Sequence, residues 1–187
     1  MRLASLALVS VAAIGCGGSW TIVKQGNPNP LKPESTFAVA PATWDGVKVG
    51  KKTEADWLAG KDEAGKASHA NDKLAFSAQL AAGVAKHAKA LKVVPEGAQF
   101  TIKPNVFWFE PGYYIGISGG PAEVKVRLDV VDAQGQTVDT IEVAGRGPAA
   151  EPFNPIPRAT VGQRLQKAAD EAGDRIAAYL RTRAGVK

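Results

Sequence analysis

Cysteine is almost absent: the 187 residues hold one, Cys16, which excludes an intramolecular disulfide and a thiolate-rich zinc site. Histidine is nearly as scarce. His69 and His87 lie far apart and outside any HExxH pattern, so no metal is expected. A serine triad would need one of those histidines; Gly116-Ile117-Ser118-Gly119-Gly120 does spell G-x-S-x-G, but it lies in a Gly-rich loop running into a hairpin, without the following helix that a nucleophile elbow needs. Gly60, Gly65 and Lys66 keep the spacing of a phosphate-cradling loop, but Ala67 stands where Ser or Thr must reach Mg²⁺, so GKDEAGKAS reads as a polar loop. The carboxylates Asp170 and Asp174 have the spacing of a solvated helix face. No enzymatic activity and no cofactor are expected. The net charge is +5 and the isoelectric point about 9.4, yet the cations are scattered among 18 acids with no block of ~5–6 like charges. No nucleic acid partner is expected, and the basic balance implies at most attraction to anionic surfaces of the cell envelope.

No apolar run reaches the ~20 residues that carry a helix across a bilayer. One shorter run is present, from Leu3 to Gly15 after Arg2, and it ends at Cys16. That layout is a signal peptide over residues 1–15. Its last four positions, Ala13-Ile14-Gly15-Cys16, resemble the lipobox of bacterial lipoproteins, departing from it at Ala13, where Leu is usual, and at Ile14, where Ala or Ser is. The resemblance implies cleavage before Cys16, a diacylglyceryl group on its thiol, an acylated (palmitate-type) amino terminus, and a membrane contact through that lipid. By the same analogy Gly17, with no Asp there, implies sorting to the outer membrane, facing the periplasm. Otherwise Cys16 is a free thiol or a small buried hydrophobe of a secreted protein.

Residues 16–35 then read as the lipidated cysteine and a proline-rich tether, GSWTIVKQGNPNPLKPES after the first glycine, extended at ~3.1 Å per residue and dispensable for folding. Residues 36–187 read as one domain. Thr36 to Trp44 is β-rich and ends at Asp45-Gly46. Thr53 opens a short helix through Leu58, and Asn71 or Asp72 opens a longer one whose stripe is Leu74, Ala78, Ala81, Ala85, Ala88 and Leu91. The period then switches to two: Phe100, Ile102, Val106 and Trp108 share a face, with Pro104 marking a bulge or an edge. Val124, Val126, Leu128 and Val130 make the clearest strand, which a turn at residues 133–136 joins to residues 137–144 as a hairpin. Thr160 caps a final helix with Val161, Leu165, Ala168, Ala172, Ile176 and Leu180 inward. The order β-α-β-β-β-α predicts an α+β fold, a two-layer sandwich of a mixed sheet with helices on one face.

The lipobox, the strand TFAVAP, the stretch PGYYIGISGGPAEVKVRLDVVDAQGQ and the closing helix together resemble small envelope lipoproteins. Their αβ-sandwich domain is similar to the amino-terminal domain of the Tol periplasmic protein, the curli secretion lipoprotein and lipoprotein activators of cell-wall synthases. The resemblance brings no catalytic residues and implies an adaptor or accessory subunit that binds another envelope protein. Residues 106–120 hold five of the chain's thirteen aromatics. They either fill the sheet or form a binding rim, since Tyr and Trp offer large contact area. Tyr113, Tyr114 and Trp108 are the candidate binding residues, Trp108 being expected in the core and at least one tyrosine in solvent. The alternative is a small ligand or glycan stacked on the same three rings.

Overall fold

In the computed structural model the described residues are 20–115, 118–148 and 160–186. Cys16 and the signal segment lie outside them. Strict alternation in Glu123–Asp132 (β9) buries Val124, Val126, Leu128 and Val130 on one face, and a turn carries the chain back as Thr137–Arg146 (β10), antiparallel in register from Glu123 opposite Arg146. Asp132 builds that turn by accepting the N–H groups of Gln134 at 3.0 Å and Gln136 at 2.8 Å. Phe100–Glu110 (β6) pairs antiparallel on the other side of β9. Thr36–Val39 (β2) runs parallel to β6 and to Lys92–Val93 (β5). A two-strand hairpin, Lys48–Val49 (β3) with Lys52–Thr53 (β4), extends the far end of β6. Pro104 sits opposite the loop between β2 and β3, where its carbonyl accepts from Thr43 N–H at 3.0 Å and its missing N–H breaks no ladder.

Helices cover one face of this mixed sheet, giving the expected α+β two-layer sandwich. Glu54–Leu58 (α1) starts at Thr53, whose hydroxyl accepts from Asp56 N–H at 3.1 Å. Val161–Ala184 (α3) opens on a capping box between Thr160 and Gln163 and ends at the left-handed Gly185. Its predicted inward face is as observed, with Leu165, Ala168, Ala172, Ile176 and Leu180 all fully buried. Between them, Glu63–His87 (α2) lies against α3. A side chain at Gly173 would come within 2.8 Å of the Val84 nitrogen, and one at Gly83 within 3.2 Å of Asp170 Cα, so two glycines let the helix backbones meet.

Three expectations are corrected. The long helix begins at Glu63, not at Asn71: Asp62 caps it, accepting from Gly65 N–H at 2.7 Å, so the EAGKAS part of GKDEAGKAS is its first turns and not a loop. Its buried face is His69, Phe76, Leu80, Gly83 and Val84, whereas Leu74 is 72% exposed and Ala78 and Ala85 are exposed. Alanine carries too little apolar area to fix a helix's phase against Phe and Leu. Finally, residues 20–35 are built into the domain. Trp20–Gln25 (β1) is an edge strand antiparallel to β10, Trp20 packs edge-on against Tyr179 of α3, and Leu31 is buried.

The tie is a buried carboxylate. Asp139 of β10, fully buried, accepts from Gly26 N–H at 2.8 Å, from the Tyr179 hydroxyl at 2.7 Å and from Arg183 Nε at 3.1 Å. Arg183 also donates to the Gly26 carbonyl, and its own carbonyl accepts from Asn29 Nδ2 at 2.7 Å. Burial, and the bond to Asp139, push the Tyr179 hydroxyl well above its ordinary range, so it stays a donor.

Candidate functional site: a cleft beside the first two helices

Among the predicted binding residues, Trp108 is not core. The β6–β9 ladder slips by one residue between Val106 and Trp108, so Phe107 is extra. The alternation therefore resumes at Phe109, which is fully buried, while Trp108 is only half-buried on the face that α2 and α3 leave uncovered. There its Nε1 donates to the Gly50 carbonyl at 3.1 Å and Lys125 lies over its ring at 4.9 Å. Arg127 lies over Phe107 at 5.6 Å and pairs with Glu142 at 2.5 Å. Tyr113–Ile115 (β7) and Ser118–Gly120 (β8) form a small hairpin in which Tyr113 is opposite Gly120 and Tyr114 opposite Gly119. The structure thus places the three residues at one end of β6. Cys16 lies outside the described residues.

A built concavity lies elsewhere. The one-turn α1 puts Glu54 against α2, where His69 and Lys73, four residues apart, share a face. Glu54 Oε1 accepts from Lys73 Nζ at 2.9 Å and is hydrogen-bonded to His69 Nε2 at 2.7 Å. Burial alone would raise the Glu54 carboxyl, but the bonds from Lys73 and His69 outweigh it and hold the group below its ordinary value. His69 is 6% exposed and packs edge-on to Trp57 at 5.0 Å and flat against Phe109 at 6.2 Å. Trp44, from the loop after β2, meets Phe76 at 5.3 Å and carries Lys73 over its ring. Ala42 N–H donates to Ser77 Oγ at 2.8 Å and fixes the opposite wall.

These groups frame a cleft of about 430 Å³, mostly apolar, with Pro41, Trp44, Leu58 and the exposed Leu74 among its lining. Trp44 is 8% exposed, and its indole N–H is buried with no acceptor. An unsatisfied buried donor of this kind costs ~1–3 kcal/mol. No hydroxyl or thiol is bonded to His69 among the described residues, and the Glu54 carboxylate is already engaged twice. The arrangement suits binding of an apolar group. Sequence reasoning misses this cleft because a helix started at Asn71 leaves His69 outside it. The readable signal is Asp62 followed three residues on by Gly65, which moves the cap and brings His69 and Lys73 onto one helix.

No protein-family model matches the chain, and no curated protein does. Among solved structures it is similar to the PelC dodecamer from Paraburkholderia phytofirmans, at 11% identity and a TM-score of 0.43 over 84% of this chain and 98% of that one. It is similar to a hypothetical protein from Chlamydia trachomatis at 12% identity and TM-score 0.47, over 80% and 99% of the two chains. A third, described as a lipoprotein of Caulobacter crescentus, gives 19% identity and TM-score 0.40 over 60% and 85%. Each score is low, and the functional reading rests on this chain's own residues. Among the described residues no helix is long and apolar enough to cross a membrane, and no group of three or more His, Cys, Asp or Glu is placed to hold a metal ion.

Proposed function

We propose that the chain is a non-catalytic, lipid-anchored protein of the bacterial envelope, held at the outer membrane through Cys16, that binds another envelope protein. The lipobox-like Ala13-Ile14-Gly15-Cys16 supports the anchor. The preformed apolar cleft carries the binding reading: a segment of the partner supplies an apolar side chain that packs against Leu58 and Leu74. A photo-crosslinking residue at Leu74, installed in living cells, is expected to give one discrete protein adduct that Leu58→Asp abolishes, while the same residue at Ala133 in the β9–β10 turn gives none. Equal adducts at both positions would remove the cleft from consideration. The alternative, a small ligand or glycan stacked on Trp108, Tyr113 and Tyr114, meets a Trp108 ring that Lys125 already covers and an indole N–H already bonded to Gly50.

A further inference from the structure

Between Cys16 and the first paired residue of the sheet, Trp20, stand three residues, Gly17, Gly18 and Ser19. Four residue steps fully extended reach about 14 Å, so an anchor at Cys16 cannot stand the domain tens of ångströms from the lipid. Trp20 is level with Val143, Val126 and Val106 across the sheet. Beyond that level β10 runs on from Val143 to Arg146, about 10 Å at the rise of a strand, with β9 and β6 beside it ending at Glu123 and Glu110. A residue tethered within about 14 Å of Trp20 lies at most a few ångströms past that rim.

Resting on the lipid-anchor reading above, we propose that this end of the sheet is the membrane-facing surface and that its partner is the anionic headgroup layer of the bilayer itself. The chemistry of the rim fits. The β3–β4 hairpin, Lys48-Val49-Gly50-Lys51-Lys52-Thr53, exposes three lysines and contains no acid. It is joined to β6 through Lys48 opposite Trp108. Lys125 and Arg146 are exposed at the same end; of the acids there, Glu123 is paired with Arg146 at 3.3 Å, Glu171 accepts from the Arg146 N–H at 2.7 Å and Asp56 accepts from the Thr53 hydroxyl at 2.7 Å, with Glu110 at the end of β6, so the cations outnumber the acids. Each Lys or Arg near an anionic leaflet contributes ~1 kcal/mol, roughly fivefold in partitioning. The β7–β8 hairpin with Tyr113 and Tyr114 leaves the sheet at this end, between Glu110 and Glu123, and Tyr and Trp are the side chains that favour a headgroup layer.

The test uses the lipidated full-length protein reconstituted into phosphatidylglycerol/phosphatidylethanolamine vesicles that carry a nitroxide on the headgroup. Acylation occupies the sole native thiol, so a fluorophore can be placed uniquely at Lys52→Cys or at Gln134→Cys, in the turn at the opposite end of the sheet. The dye at 52 is expected to lose most of its emission and the dye at 134 to keep it. Lys48→Glu with Lys51→Glu is expected to restore emission at 52. Equal quenching at both positions, or stronger quenching at 134, with Cys16 acylated, overturns this surface and leaves the anchor standing. A Cys16 thiol that still reacts with maleimide in the purified wild-type protein overturns the anchor, and this surface with it.

Discussion

At Phe107 the ladder between β6 and β9 slips, and that one residue exchanges the roles of Trp108 and Phe109. Truncating a fully buried Phe leaves a cavity, so Phe109→Ala is expected to lower stability by about 3–5 kcal/mol, measured by urea unfolding. Trp108→Ala, which removes a half-buried ring and one hydrogen bond to Gly50, is expected to cost well under half of that. Equal losses would place Trp108 back in the core. The alternation of Phe100, Ile102 and Val106 is legible in the sequence, but the bulge is not, because it is set by how β9 pairs and not by any residue type at Phe107. Glu54 gives a pH signature. Its folded value lies below the ordinary 4.5, so its contribution is present above that value and is lost as pH falls through the lower folded one. Asp72, raised by burial and only partly offset by His69, acts with the opposite sign. The wild type is therefore expected to lose stability below about pH 4.5 that Glu54→Gln has already lost at neutral pH, the deficit at neutrality being ~1 kcal/mol. Parallel stability curves for the two proteins between pH 7 and pH 3 would show that the bonds to Lys73 and His69 contribute nothing.

Among the elements, the strands with strong alternation and the helix with a large apolar face declare themselves: β9, β10 and α3 are where the spacing of Val, Ile and Leu puts them. What escapes sequence reading depends on partners distant in the chain. β1 looks like a spacer because Gly26, Pro28, Pro30 and Pro33 follow a short apolar patch, and nothing local announces that Asp139 and Arg183 close over Gly26. The start of α2 escapes because Gly60 and Gly65 suggest a loop, while Asp62 satisfies the exposed helix N–H groups and overrides them. A chain beginning at Ser35 is consequently expected to be badly destabilised. Loss of Leu31 burial alone costs ~1.5–3 kcal/mol, worth about 3–12 °C in melting temperature for a domain of this size, before the partners of Asp139 are counted. Asp139→Ala, which strands Arg183, is expected to cost ~3–5 kcal/mol by itself, readable by calorimetry. Melting of the Ser35 chain within a degree or two of the longer one would return residues 20–35 to the status of a tether.

For the whole molecule the consequence is cooperativity. A single apolar cluster joins β2, β6, β9 and β10 to α2 and α3, with Trp20 and Trp57 packed against it. The amino-terminal segment is bonded into the same body through Asp139, so a domain with a loose leader and one cooperative unit behave differently on unfolding. The four tryptophans report from four places: the edge strand, the cleft wall, α1 and the uncovered face of the sheet. In a variant that keeps only Trp20, the other three replaced by Phe, indole emission is expected to change at the same urea concentration as the far-ultraviolet dichroism, since coincident probes mark a two-state transition. Both signals come from one sample, so any stability lost with Trp44 shifts them together and cannot mimic agreement. A Trp20 transition at clearly lower urea would mean that β1 frays before the core melts. The edge strand would then be a detachable arm, free to lengthen the link between Cys16 and the sheet, and the close approach to the bilayer argued from that link would lose its geometric basis.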